Sequence, residues 1–218
     1  MPHRLALPPS ARRPAARAGD APDPGRPQES GGAVAPDLRA VDPFLRLLDQ
    51  RALFLSGPID GALSDRLVAQ LLHLDAEDPT RDITLYINSP GGEVYASLAI
   101  YDALQYVHAD VRTICCGIAM SGGSVVLCGG APGKRAALPN SRILIHQPHG
   151  GVQGQTADVE IQAREMLWMR ERIEELYVEH TGQPRERVHR DVERDRFLSP
   201  RDALDYGLID EIVARRPA

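Results

Sequence analysis

The chain has 218 residues, 43% of them hydrophobic and 25% charged, and a formal net charge of −5. That length suits one sizeable core, and the acidic balance offers no basic footprint for nucleic acid. No apolar run approaches the roughly 20 residues that cross a bilayer, so no membrane span is expected.

From residue 1 to about 36 the sequence is dominated by Pro, Ala, Arg and Gly with no period of 2 or 3.6, which predicts a disordered leader or propeptide over 1–36 and a single folded domain over 37–218. The leader lacks the apolar core of a secretory signal, and Asp20, Asp23 and Glu29 count against an organellar transit peptide. Beyond it, apolar runs of strand length alternate with helical stretches: Ala52–Ser56 then Ser64–Leu74, Ile83–Asn88 then Glu93–Val107, Val111–Cys116 then Ser121–Cys128. This alternation predicts βαβ units and an α/β fold with a mainly parallel sheet. Short strands are expected near Lys134–Ala137 and Ile143–His146, followed by a long helix over about Ala157–Glu179 that Gly182 and Pro184 terminate. The apolar face of that helix, including Leu167, Trp168, Ile173 and Tyr177, is wider than solvent exposure favours, so packing against another subunit is expected.

Cys115, Cys116 and Cys128 lie in apolar surroundings without metal-ligand spacing. They read as small buried hydrophobes of a reducing, cytoplasmic environment, and neither a metal nor another cofactor is expected.

Ser121 stands between an apolar strand and an apolar helix, in Gly117-Ile-Ala-Met-Ser121-Gly-Gly-Ser124. Small neighbours let the backbone bend sharply enough to expose a nucleophilic hydroxyl, and unpaired helix amides point at the same spot. A serine N-cap accounts for the same residues equally well. Asn88-Ser-Pro-Gly91-Gly92-Glu93 is a second strand-to-helix turn, either a cradle of backbone N–H groups or an ordinary βα loop; its spacing excludes a phosphate loop. His146 ends an apolar strand and reads as a general base or as a hydrogen-bonded strand-end histidine, with His149 a weaker candidate. An orienting carboxylate could be Asp158, Asp191, Asp195 or Asp202, while Arg190–Arg196 also reads as a salt-bridged face. Lys134 is the only lysine, which disfavours a serine–lysine mechanism.

Seven segments in order resemble the ClpP family, the proteolytic subunit of the Clp protease, from about Val41 to Val213: Leu85–Gly92, the turn at Ser121, Leu138–Arg142, Ile145–Pro148, Gly150–Gln155, Glu193–Ser199 and Tyr206–Asp210. The resemblance implies the spiral of βαβ units shared with crotonases, with the long helix as a protruding handle. It implies Ser121 as nucleophile, His146 as base, Asp195 as orienting carboxylate, and the N–H groups of Gly92 and Gly122 as oxyanion hole. Gly150, Gly151, Val152, Gln153 and Gly154 would form the strand that pairs with an extended substrate, and Arg194 would be a ring contact.

The implied function is a serine endopeptidase that degrades unfolded protein fed by a separate AAA+ unfoldase, in two stacked heptameric rings of one or two chain types. Two departures are visible. Ser121 is followed by Gly122 where the family usually has methionine, which predicts a looser turn and one side chain fewer on the substrate wall. At the amino end the family's axial pattern is reduced to Val41–Leu48. Two other readings compete: a non-catalytic ring subunit that depends on an active paralogue, and a coenzyme A enzyme of the crotonase type, for which the triad residues would be accidental.

Overall fold

The structure, a computed structural model, describes residues 42–151 and 153–215. The expected leader over 1–36, and Val152, lie outside the described residues. The chain runs through α1 (Pro43–Leu48), β1 (Ala52–Ser56), α2 (Gly61–Glu77), β2 (Ile83–Ser89), α3 (Val94–Tyr106), β3 (Val111–Met120), α4 (Gly122–Cys128), β4 (Arg135–Ala137), β5 (Arg142–Ile145), α5 (Thr156–Thr181), α6 (Arg185–Asp191), β6 (Arg196–Leu198), α7 (Pro200–Tyr206) and β7 (Glu211–Ile212). The α/β architecture read from the sequence holds. Elements of seven residues or fewer at the carboxyl end, α6, β6, α7 and β7, were not foreseen, because none is long enough to show a period.

Helix α2 starts where the Asp60 carboxylate accepts the Leu63 N–H at 2.8 Å, and it buries Leu63, Leu67, Leu71 and Leu74 along one face. With α3 it covers strands whose apolar residues, among them Leu53, Leu55, Leu85 and Ile87, are fully buried. The strands β1, β2, β3, β4 and β7 lie side by side in that order, all parallel.

Strand β3 also carries a second set of pairings, parallel with β5, which is in turn antiparallel to β6. A bulge makes this possible: the register with β2 moves from Ile87 opposite Cys115 to Ser89 opposite Ala119. Gly117 sits in the bulge at φ 130°, where a side chain would come 2.5 Å from Asn88 Oδ1. That oxygen accepts the Ile118 N–H at 3.3 Å. A bulge bends and twists a strand, so β3 continues to Met120, four residues past its expected end at Cys116.

The long helix α5 buries Ile173, Glu174, Leu176 and Tyr177 in its carboxyl-terminal half only, while Ile161, Leu167 and Trp168 are exposed in this chain.

Arg51 is buried, adopts φ 61° and fans its guanidinium over four carbonyls: Leu74 at 2.8 Å, Asp78 at 2.9 Å, Arg81 at 3.0 Å and Asp82 at 3.2 Å. Three of these carbonyls lie past the end of α2 and the fourth, Leu74 O, also accepts the Asp78 N–H at 3.1 Å, and a cation there complements the helix dipole. One side chain therefore ties the end of α2 to the start of β2. Arg51→Ala should lower stability by about 3 kcal/mol, read as a shift of the urea unfolding midpoint, because several charged hydrogen bonds go at once. Arg51→Lys, with a point charge in place of a fork, should recover less than half of the loss.

Candidate active site

Ser121 has φ 53° and ψ −123°, and it is one of two described non-glycine residues at positive φ. Such a conformation costs on the order of 1–3 kcal/mol and persists only where the surroundings impose it. Here they do: the Ser121 N–H donates to Leu144 O at 2.9 Å, and its carbonyl accepts the Ser124 N–H at 2.9 Å and the Ser124 hydroxyl at 2.7 Å. Although Ser121 occupies the N-cap position of α4, its side chain makes no cap hydrogen bond. Capping therefore does not account for the residue.

The two glycine-bearing turns of the sequence meet at this point. Gly91, at φ 89°, lies so close to the serine turn that an added Cβ would fall 2.6 Å from Met120 O and 2.7 Å from Ser121 Cβ. Hydrogen bonds from Ile59 N–H to Gly91 O and from Glu93 N–H to Ile59 O, both 2.9 Å, hold the turn from its other side. Gly92 is exposed beside this junction, and Gly122 is the first residue of α4, a position whose N–H has no intrahelical acceptor.

His146 follows β5 and Asp195 precedes β6. Since Ile145 pairs with Arg196 in the antiparallel ladder, the next pair out is His146 with Asp195. The His146 Nδ1 lies 2.9 Å from Asp195 Oδ1, with 11% of the His146 side chain and 63% of the Asp195 side chain exposed. His146 Nε2 is buried and has no hydrogen-bond partner, although His146, Ser121, Gly92 and Gly122 line one pocket. His146 is thus held by Asp195, and no hydrogen bond joins it to Ser121 in this chain. The ring of His149 stands edge-on to His146 with centroids 4.6 Å apart.

The other candidate carboxylates have different neighbours. Asp191 pairs with Arg196 at 2.9 Å, Asp202 closes a capping box with Ser199 at the start of α7, and Asp158 lies exposed in the first turn of α5. Lys134 reaches Asp82 at 2.6 Å and Asp110 at 2.8 Å, whose hydrogen bonds, Asp110's first, hold its pKa above the usual lysine value, the reverse of what a general base needs. Burial pushes the thiols of Cys115 and Cys128 up to about 12, which leaves them inert. Gly150, Gly151, Gln153 and Gly154 lie outside the strands of this single chain, and Arg194 is exposed.

Two groups support the site in ways the sequence reading did not give: Tyr177, expected with Ile173 on a face against another subunit, is buried within this chain, and Arg170 was not singled out. The Tyr177 hydroxyl lies 2.8 Å from Ser124 Oγ, which donates between Ser121 O and Leu144 O, so a buried phenol of α5 props the serine turn. Burial raises the pKa of that phenol far above its ordinary value, so it stays a neutral donor. Arg170, also on α5, contacts Glu174, Glu193 and the Gln147 side chain, each at 2.8 Å, while Gln147 Nε2 donates to Glu193 O at 3.0 Å. This clamp joins the residue after His146 to the loop that carries Asp195. A serine or arginine in a helical or charged run gives no sign of such partners, since they depend on chain crossings.

Gly91→Ala should reduce the reactivity of Ser121 toward a fluorophosphonate probe at least about tenfold, because the added methyl meets the serine turn and the positive φ penalises alanine. Mass spectrometry of the labelled protein gives the rate. An unchanged rate would mean that the two turns do not constrain each other.

Among the described residues no group of three or more His, Cys, Asp or Glu side chains is placed to hold a metal ion, and no helix is long and apolar enough to cross a membrane. A family model described as Clp protease matches residues 35–216, which sets aside the coenzyme A reading, and on that span the chain belongs to the Clp protease family, peptidases of the ClpP type.

Proposed function

We propose that the chain is a serine endopeptidase, the proteolytic core of an ATP-dependent protease that degrades unfolded polypeptide delivered by a separate AAA+ unfoldase. The observation that carries this reading is the convergence on one pocket of Ser121, in a strained turn, and His146, whose Nδ1 is held by Asp195 at 2.9 Å and whose buried Nε2 is unpartnered. In the reaction, Ser121 Oγ attacks the scissile carbonyl carbon as its proton passes to His146 Nε2. The N–H groups of Gly92 and Gly122 hold the resulting oxyanion. Collapse of the tetrahedral intermediate expels the amine, which takes the proton from Nε2. Water then attacks the acyl-serine by the same route and restores the hydroxyl. Asp195 accepts from Nδ1–H throughout and stabilises the imidazolium.

In this reading the exposed Ile161, Leu167 and Trp168 of α5 meet a second ring, Arg194 contacts a ring neighbour, and residues 150–154 pair with extended substrate. Main-chain pairing of that kind gives affinity with little sequence preference. Assembly into stacked heptamers and a cytoplasmic location belong to the same proposal, and the 1–36 segment is a leader outside the peptidase domain.

One observation favours a second reading, a ring subunit active only with a partner: the serine hydroxyl is not hydrogen-bonded to His146 Nε2 within the single chain. Fluorophosphonate labelling separates the two, since a partner-dependent subunit leaves Ser121 unlabelled in the assembled ring until its paralogue is added. Under the first reading, Ser121→Ala abolishes hydrolysis of a small peptide and of casein with or without an unfoldase, and retained activity would refute the mechanism. Asp195→Asn should lower kcat by about 10³–10⁴ with KM little changed, because it stabilises the wrong imidazole tautomer.

A further inference from the structure

The residue after Ser121 is a glycine, and the space beside it is filled from another helix. A Cβ built at Gly122 would lie 2.8 Å from Ser97 Cβ and closer still to Ser97 Oγ, whereas the next nearest atom, Ile59 Cδ1, is 3.6 Å away. Gly122 is not among the glycines at positive φ, so its backbone would accept any L residue. The obstacle to a Cβ at 122 is therefore Ser97 alone.

Ser97 is 2% exposed and donates from its hydroxyl to Glu93 O at 2.8 Å, a bond that fixes its rotamer in the first turns of α3. It lines the same pocket as Ser121 and His146, whose remaining wall there is apolar and includes Val94, Leu98 and Val125. The looser, emptier turn expected from glycine at 122 is thus compensated in space by a hydroxymethyl group from a different element.

We propose that Ser97 is a specificity-determining residue. Its side chain stands where one from residue 122 would stand, sets the depth of the cleft that receives the substrate side chain on the acyl side of the scissile bond, and steadies the Gly122 N–H. The inference rests on the serine endopeptidase reading and names the residue that shapes its substrate preference. Removing the hydroxymethyl group deepens an apolar cleft, and a change of that size in a pocket alters discrimination by about tenfold or more.

The test compares the full chain, in its assembled form, as wild type, Ser97→Gly, Ser97→Ala, Gly122→Ala and the double variant Ser97→Gly/Gly122→Ala. Each is assayed on paired peptides with Ala or Phe at the cleaved position, with active sites counted by fluorophosphonate labelling and folding by thermal melting. Ser97→Gly is expected to raise the Phe-to-Ala ratio of kcat/KM about tenfold, with Ser97→Ala moving it the same way by less. Gly122→Ala should lose at least tenfold in labelling rate, and the double variant should regain most of that loss while its ratio returns toward wild type. A ratio unmoved in whichever Ser97 variant folds, or a double variant no better than Gly122→Ala, overturns the proposal. An unlabelled wild type instead removes the peptidase reading beneath it, and with it this proposal.

Discussion

The contact of the Gly91-Gly92 turn with the Ser121-Gly122 turn is the constraint on which the rest of the site depends. Strands β2 and β3 are parallel neighbours, so their carboxyl ends reach the same edge of the sheet, and each passes directly into a helix. Open parallel sheets place ligands at that edge because successive helix amino termini converge there. Convergence alone leaves the turns a side chain apart. Glycine at 91, with φ 89° and no room for a Cβ, lets one turn seat against the other, so that Gly92 and Gly122 of two different loops line one pocket with Ser121. Ser121, held at positive φ, lines the pocket beside the two turns.

The remaining members of the site arrive through the bulge in β3. Without the residues inserted around Gly117, β3 would end near Cys116 and have no segment free to pair with β5. With them, β5 runs beside the approach to Ser121 and ends just before His146, and Asp195, just ahead of the antiparallel β6, lies opposite that end. A local irregularity in one strand thus lets the segment that leads to His146 run beside the one that leads to Ser121, and the Arg170 clamp from α5 ties Gln147, next to His146, to Glu193 in the loop that carries Asp195. The long helix that looks outward along its exposed half reaches the chemistry at its buried half through Arg170 and Tyr177.

Much of this was legible in the residues, and the parts that were not share a cause. The βαβ alternation and the strand-to-helix placement of Ser121 and Gly92 follow from local pattern, because apolar period and glycine placement act over a few neighbours. The order of short carboxyl-terminal elements was not legible: α6 buries only Val188 and β7 has two residues, too few to leave a period. Asp195 was indistinguishable by composition from Asp191 and Asp202, and the difference between them is the register of β5 with β6. Ser97 has no sequence signal of its own, since its surroundings depend on the absent side chain of Gly122, on another element.

The energetics explain why so much support surrounds one turn. The Ser121 backbone conformation costs on the order of 1–3 kcal/mol, and a buried imidazole nitrogen with no partner costs about as much again. On the proposed mechanism the second penalty falls on an atom that takes up a proton as Ser121 attacks, so its relief would appear as transition-state stabilisation rather than as tighter ground-state binding. The fold must offset them elsewhere. It does so with a fully buried core beneath the turn, with Ser124 bonded at once to Ser121 O, Leu144 O and Tyr177, and with an Arg51 that satisfies four carbonyls far from the site. The contacts that hold the Ser121 turn are thus buried, whereas Asp195, on the far side of His146, stays open to solvent.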